Sequence, residues 1–236
     1  MKRFEEVSQV TAVIPTYGDD TCVTDRLENV LEQSHRPYEV IVISFGHSFR
    51  DVLLGPYRKY TRFIPIASPK DMAELPIRTP HTVIVNPGEW LTATDFEAME
   101  LAMDLHPECS AGQANRLMTT NTEDLIQETF VPYFGVLAEH EANYRLKTPA
   151  AIFRTNQGWT ANWNDTCLEV FNEDRNTKIY GIPFPLGHHY ENENSLPFKE
   201  NIVAMPRKAP LHNKVKEPRT HEHWSNYPPS KARRPL

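Results

Sequence analysis

Asp165, in the run Asn164-Asp165-Thr166-Cys167-Leu168, is a carboxylate with Trp159 and Trp163 just before it. Together these types suit a general base beside a stacking platform. The carboxylate can take a proton from a bound group, and the tryptophans offer flat faces to a sugar or nucleobase ring. An aspartate heading a helix also serves to cap it, and tryptophan is also a good core filler, so both readings stand. Asp174, in Asn172-Glu173-Asp174-Arg175, is a second carboxylate but reads more as part of a solvated helix end. Glu89 closes the run Asn86-Pro87-Gly88-Glu89. A hard divalent cation, Mg2+ or Mn2+, takes oxygen ligands, and one carboxylate plus phosphate oxygens can suffice, with Asn86 as a weak neutral partner. The same four residues also make an ordinary surface turn. His188 and His189 follow a strand-like stretch, where α/β sheets gather their ligands; either could complete a metal site or meet a phosphate, His189 marginally ahead.

These residues need a scaffold, and the apolar patterning supplies one. Val10–Tyr17 reads as a buried strand closed by Pro15, and Gly18-Asp19-Asp20 as a turn. Thr24 to Ser34 reads as a helix with Thr24 as its N-cap and Leu27, Val30 and Leu31 at helical spacing. Pro37 stops it, and Tyr38–Ile43 is the next strand, completing a βαβ unit. A helix is expected around Phe49–Tyr60, strands at Thr61–Ala67 and His81–Val85, and a helix at Thr94–Leu105 with Phe96, Met99 and Met103 inward. Ala150–Arg154 reads as a strand, Asp165–Asn172 as helical, and Thr177–Phe184 as a further strand. Residues 115–148 fit none of these patterns well and could form an acceptor-side insertion. Alternating strands and helices indicate an α/β fold with a mainly parallel sheet flanked by helices.

Bulk properties narrow the class. The 236 residues suffice for one domain plus an appendage, with 39% hydrophobic and 24% charged residues. No apolar run approaches the roughly 20 residues that span a bilayer, so no membrane insertion is expected. The start, Met1-Lys2-Arg3-Phe4-Glu5-Glu6, lacks the apolar core of a signal peptide. The expectation is a protein that stays in the cytoplasm, the host's if the source is viral. Cys22, Cys109 and Cys167 match no metal spacing and are expected as reduced thiols.

The net charge of −6 is unevenly spread. Residues 206–236 carry eight Lys/Arg against two Asp/Glu, while residues 1–205 carry seventeen against twenty-nine. The basic segment holds six prolines, with Trp224 and Tyr227 among the cations. It reads as a tail or strap on a domain of residues 1–205. Basic residues with interleaved aromatics suit single-stranded or flipped-base nucleic acid; a solubilising tail, or one bound to the acidic body, is the competing reading.

Two segments carry a family resemblance, and a third supports them. The first joins Val13-Ile14-Pro15-Thr16-Tyr17, Leu27-Glu28-Asn29-Val30-Leu31-Glu32-Gln33-Ser34 and Pro37-Tyr38-Glu39-Val40-Ile41-Val42. The second is Val83-Ile84-Val85-Asn86-Pro87-Gly88-Glu89-Trp90-Leu91; the third joins Asn164-Asp165, Lys178-Ile179-Tyr180 and His188-His189. In this order they resemble the family-two glycosyltransferases, inverting enzymes of the GT-A fold. The resemblance implies Asp165 as the catalytic base, and a donor site of Pro15, Thr16, Tyr17, Ser44, Gly46, His47, Arg78, Asn86 and Trp163. It also implies a cation held by Glu89 with His189 or His188. The chain departs from the family pattern where Asn86 stands in the place of the first motif aspartate, and where the second strand ends in Ser44-Phe45-Gly46-His47-Ser48 rather than in acids. The activity implied is transfer of a hexosyl or pentosyl group from a nucleotide-sugar to an acceptor hydroxyl. The basic 206–236 segment adds a sharper expectation for the acceptor, a hydroxylated base in viral DNA, beside a saccharide or a protein. The alternative is a catalytically inactive module that binds nucleotide or nucleic acid.

Overall fold

The computed structural model describes residues 6–17, 23–45, 57–67, 71, 75–119, 125–128, 135–137, 144–164, 167–172 and 177–190. Their strands, in order, are β1 (Glu6–Val7), β2 (Val10–Tyr17), β3 (His35–Arg36), β4 (Glu39–Phe45), β5 (Thr61–Ile66), β6 (His81–Ile84), β7 (Glu89–Trp90), β8 (Ala111–Gln113) and β9 (Arg116–Thr119). There follow β10 (Leu125–Glu128), β11 (Gly135–Leu137), β12 (Tyr144–Leu146), β13 (Ala151–Arg154), β14 (Trp159–Asn164), β15 (Cys167–Asn172), β16 (Ile179–Gly181) and β17 (His188–Tyr190). The described helices are α1 (Val23–Leu31) and α2 (Asp95–Leu105).

Alternation of buried residues builds the main sheet. Val10, Ala12 and Ile14 of β2 join one apolar cluster, and Val13 joins another; Val40 and Val42 of β4 divide from Ile41 and Ile43 in the same way. The first cluster takes Val23, Leu27 and Val30 of α1 and Phe96, Met99 and Met103 of α2, so both described helices cover one face. The second cluster takes Leu146, Ala161, Leu168 and Val170, so the other face is covered by the small antiparallel sheet β12-β15-β14.

The main sheet runs β11-β16-β8-β13-β6-β2-β4-β5. Strands β6, β2, β4 and β5 are mutually parallel, as are β8 and β16. Strand β13 runs antiparallel to both its neighbours, and β11 to β16. This is the mixed, mainly parallel α/β sheet that the pattern indicated.

Several elements differ from expectation. Residues 167–172 form a strand, not the last turns of a helix. Leu168, Val170 and Asn172 are buried, while Glu169 and Phe171 are partly exposed, which is the period of two that seats a strand on a sheet. Thr24 lies inside α1, which starts at Val23 and ends at Leu31; Pro37 then holds Arg36 extended, and β3 pairs with β1. Strand β2 continues through Pro15 to Tyr17. Residues 57–59 form a single 3-10 turn, and residues 49–56 of the expected helix lie outside the described residues. The 115–148 stretch is not a separate insertion: its described strands join the main sheet (β11), the three-stranded sheet (β12) and a four-stranded sheet ordered β10-β9-β17-β7.

Among the described residues, no helix is long and apolar enough to cross a membrane. Cys109 is a buried free thiol, pushed up in pKa mainly by that burial. The 206–236 segment lies outside the described residues.

Candidate active site

Strand order reverses at β2: the chain passes to β4 and β5 on one side, then returns to β6 on the other. In open α/β sheets, ligands gather outside the carboxyl ends of the strands at such a point. The ends of β2, β4 and β6 bring Pro15, Thr16, Tyr17, Ser44 and Asn86 to one edge, with Thr16 beside Ser44 and Tyr17 beside Phe45 in register. Thr16 is buried, and its hydroxyl donates to the Ile43 carbonyl at 3.0 Å, tying β2 to β4. Gly46 and His47 lie outside the described residues. Arg78 is exposed and precedes the amino end of β6, so it is not brought together with the others.

Beyond β6 the chain turns, and the turn is wired inward. The Glu89 N–H donates to the Asn86 carbonyl at 3.0 Å, and the Asn86 N–H to Glu89 Oε2 at 2.7 Å. Asn86 is fully buried. Its Oδ1 accepts the Leu168 N–H at 2.8 Å, and its Nδ2 donates to the Leu168 carbonyl at 3.2 Å and to Thr148 Oγ1 at 2.7 Å. The Thr148 hydroxyl donates to Glu89 Oε1 at 2.7 Å, and Arg116 Nη1 lies 3.7 Å from the same oxygen. Glu89 is 2% exposed, and burial pushes its carboxyl up to about 7 against the opposing pull of Arg116 and these donors.

Among the described residues no three His, Cys, Asp or Glu side chains come together to hold a metal ion. Asn86 and Glu89 engage their polar atoms with the protein. The backbone does bring the expected residues together: β17 runs antiparallel to β7, with His188 opposite Trp90 and His189 opposite Glu89. His188 is fully buried. Asp165 lies outside the described residues, but Asn164 and Cys167 on either side of it are paired across an antiparallel hairpin. Trp163 is a strand residue of that hairpin, and Trp159 packs on Phe153 with ring centroids 5.6 Å apart.

No protein-family model matches the chain, and no curated protein matches it. Solved structures do. TarS of S. aureus, residues 1–349, superposes with a TM-score of 0.54 at 10% identity, over 77% of this chain and 60% of that one. The same protein in complex with UDP-GlcNAc superposes with a TM-score of 0.51 at 11% identity, over 83% of this chain and 60% of that one. The fold is GT-A. The chain spans about 60% of the length of these TarS structures.

Within this GT-A sheet, the structure adds residues that the sequence reading passed over. Arg26, 1% exposed, reaches the Pro15 carbonyl at 3.4 Å through Nη2, placing a buried cation beside the end of β2. The signal was its position three residues after Val23 in the apolar stripe of α1. Asn29 pairs with Leu91 as Asn86 does with Leu168, donating to its carbonyl at 2.9 Å and accepting its N–H at 2.8 Å. Asp95, fully buried, accepts the N–H groups of Thr92 at 2.7 Å and Gly187 at 2.8 Å, which anchors the approach to β17 on the head of α2.

Proposed function

We propose that the chain is a glycosyltransferase, moving a hexosyl or pentosyl group from a nucleotide-sugar donor to an acceptor hydroxyl with inversion. The observation that carries this reading is the convergence of the ends of β2, β4 and β6 at the switch point of a GT-A sheet. The TarS structure bound to UDP-GlcNAc supports a nucleotide-sugar as the donor class. In the transfer, the Asp165 carboxylate accepts the hydroxyl proton of the acceptor. The acceptor oxygen bonds to the anomeric carbon, the bond from that carbon to the diphosphate breaks, and the nucleoside diphosphate leaves with the electron pair. Trp163 and the Thr16–Tyr17 and Ser44–His47 segments are the proposed walls of the donor site. No step is routed through a cation.

For the acceptor we propose a hydroxylated base in DNA, on the strength of the basic, aromatic-bearing 206–236 segment. A base within a duplex would have to be extruded to reach Asp165.

The deciding experiment is a thermal-shift panel of nucleotide-sugars and nucleoside diphosphates, UDP-GlcNAc and UDP first, each with Mg2+, Mn2+ or EDTA. A shift specific to one donor, kept in EDTA, is expected. No shift with any donor, together with salt-dependent binding of DNA, would replace the transferase by a non-catalytic binding module.

A further inference from the structure

Asn86 stands where the family pattern has an acid, and its surroundings explain why it is an amide. Strand β15 is paired to β12 at Leu146–Val170. Continuing that register by two residues would set Thr148 against Leu168, but β12 has ended at Leu146. The Asn86 side chain takes the empty place. It offers Leu168 what a neighbouring peptide would, an acceptor for the N–H at 2.8 Å and a donor for the carbonyl at 3.2 Å. The second Nδ2 hydrogen goes to Thr148 Oγ1, whose own hydrogen is directed to Glu89 Oε1. Every hydrogen in this chain has one direction. An aspartate at position 86 would face the Leu168 carbonyl and Thr148 with no hydrogen to give. It would also add a second buried carboxyl beside Glu89.

We propose that Asn86 is a positioning residue: its amide clamps the β14–β15 hairpin to the carboxyl end of β6, and so fixes that hairpin against the strand ends of the donor crevice. Leu168 lies three residues after Asp165, and the hairpin ladder from Asn164–Cys167 to Trp159–Asn172 transmits the clamp along its whole length. The inference rests on the reading of Asp165 as the base, and its test separates the two.

The Leu168 amide is the direct reporter. In the wild type its hydrogen exchange, followed by NMR, should be as slow as that of the β15 ladder amides. In Asn86→Ala and Asn86→Asp, exchange across residues 159–172 should rise about tenfold or more, while β2 and β4 keep their protection. With the nucleotide-sugar identified in the donor panel, kcat should fall roughly a hundredfold while UDP affinity stays within about twofold, since misplacement affects the chemical step and not the donor. Three results overturn the proposal: a Leu168 amide that exchanges rapidly in the wild type, which decides the matter even if neither variant folds; a hairpin unchanged in Asn86→Ala; or a loosened hairpin with kcat intact. If Asp165→Asn keeps full turnover, the base assignment fails while the clamp is still judged by exchange.

Discussion

The Thr148 hydroxyl donates to Glu89 Oε1 at 2.7 Å while its oxygen accepts from Asn86 Nδ2 at 2.7 Å. One threonine thus connects the turn after β6, the segment before β13 and, through Asn86, the hairpin on the far face of the sheet. Glu89 receives donors on both carboxyl oxygens, yet its burial outweighs them and pushes it up to about 7 from an ordinary 4.5.

That shift has a sign that stability measurements can read. Between about 4.5 and about 7 the folded state holds a proton that the unfolded chain has lost. The contribution is therefore fully present below about 4.5 and is lost as pH rises through about 7. Urea unfolding at pH 5, 6, 7 and 8 should show the wild type losing up to about 3 kcal/mol relative to Glu89→Gln across that range. A constant difference between the two proteins would mean that Thr148, Asn86 and Arg116 keep Glu89 ionised throughout.

Gly187 should be intolerant of any side chain. It sits at φ +66°, and a Cβ there would lie 2.6 Å from Pro149 Cγ. Its N–H donates to Asp95 and its carbonyl accepts from Leu117, so the strain falls on the approach to β17. Gly187→Ala is expected to cost about 2–4 kcal/mol in chemical unfolding. A loss below about 1 kcal/mol would show that the Pro149 ring moves aside easily.

The βαβ opening was legible because its strands are short apolar runs and its helix carries one apolar stripe. Residues 10–16 and 39–44 are continuous buried runs, the mark of strands covered on both faces, and Val23, Leu27 and Val30 mark one helix face. The hairpin was legible in principle, since Leu168 and Val170 alternate with Glu169 and Phe171, but an aspartate ahead of that run resembled a helix cap. The role of Asn86 was not legible. Its partners, Thr148 and Leu168, are 62 and 82 residues away, and a turn asparagine shows no periodicity that would reveal a distant carbonyl needing a donor. The pairing of His189 with Glu89 lies between these cases: the residues were singled out by type, but their register depends on β17 entering between β7 and β9.

Arg154 should prove indispensable to the seat of α2. Its Nη2 donates to the Met103 carbonyl at 2.9 Å, satisfying a carbonyl in the last turn of α2, and its Nε to the Cys109 carbonyl at 2.8 Å in the segment that follows. Its Nη1 lies 3.2 Å from His81 Nε2, and because a guanidinium only donates, that nitrogen accepts and the imidazole is neutral. Burial first, then Arg154, lowers the His81 pKa below its ordinary 6.5. The unfolded chain therefore gains a proton that the folded state refuses as pH falls below 6.5, and stability drops on the acid side. Arg154→Met is expected to cost about 2–4 kcal/mol. His81→Asn should remove part of the acid-side loss, and an NMR titration of His81 that showed protonation at or above 6.5 would refute this account.

Asp165→Asn separates a base from a turn former. Asn164 and Cys167 are paired strand residues, so the helix that an aspartate at 165 would cap is absent from the described residues that follow. If Asp165 is the proton acceptor, the asparagine variant should bind UDP as the wild type does, within about twofold, and lose turnover by about two to four orders of magnitude. Its unfolding free energy should change by no more than about 0.5 kcal/mol, because the substitution preserves shape. The opposite pattern, with stability lowered by about 1 kcal/mol and turnover intact, would assign Asp165 to the joining of β14 and β15, where an aspartate favours a turn. The base would then have to come from elsewhere along the crevice.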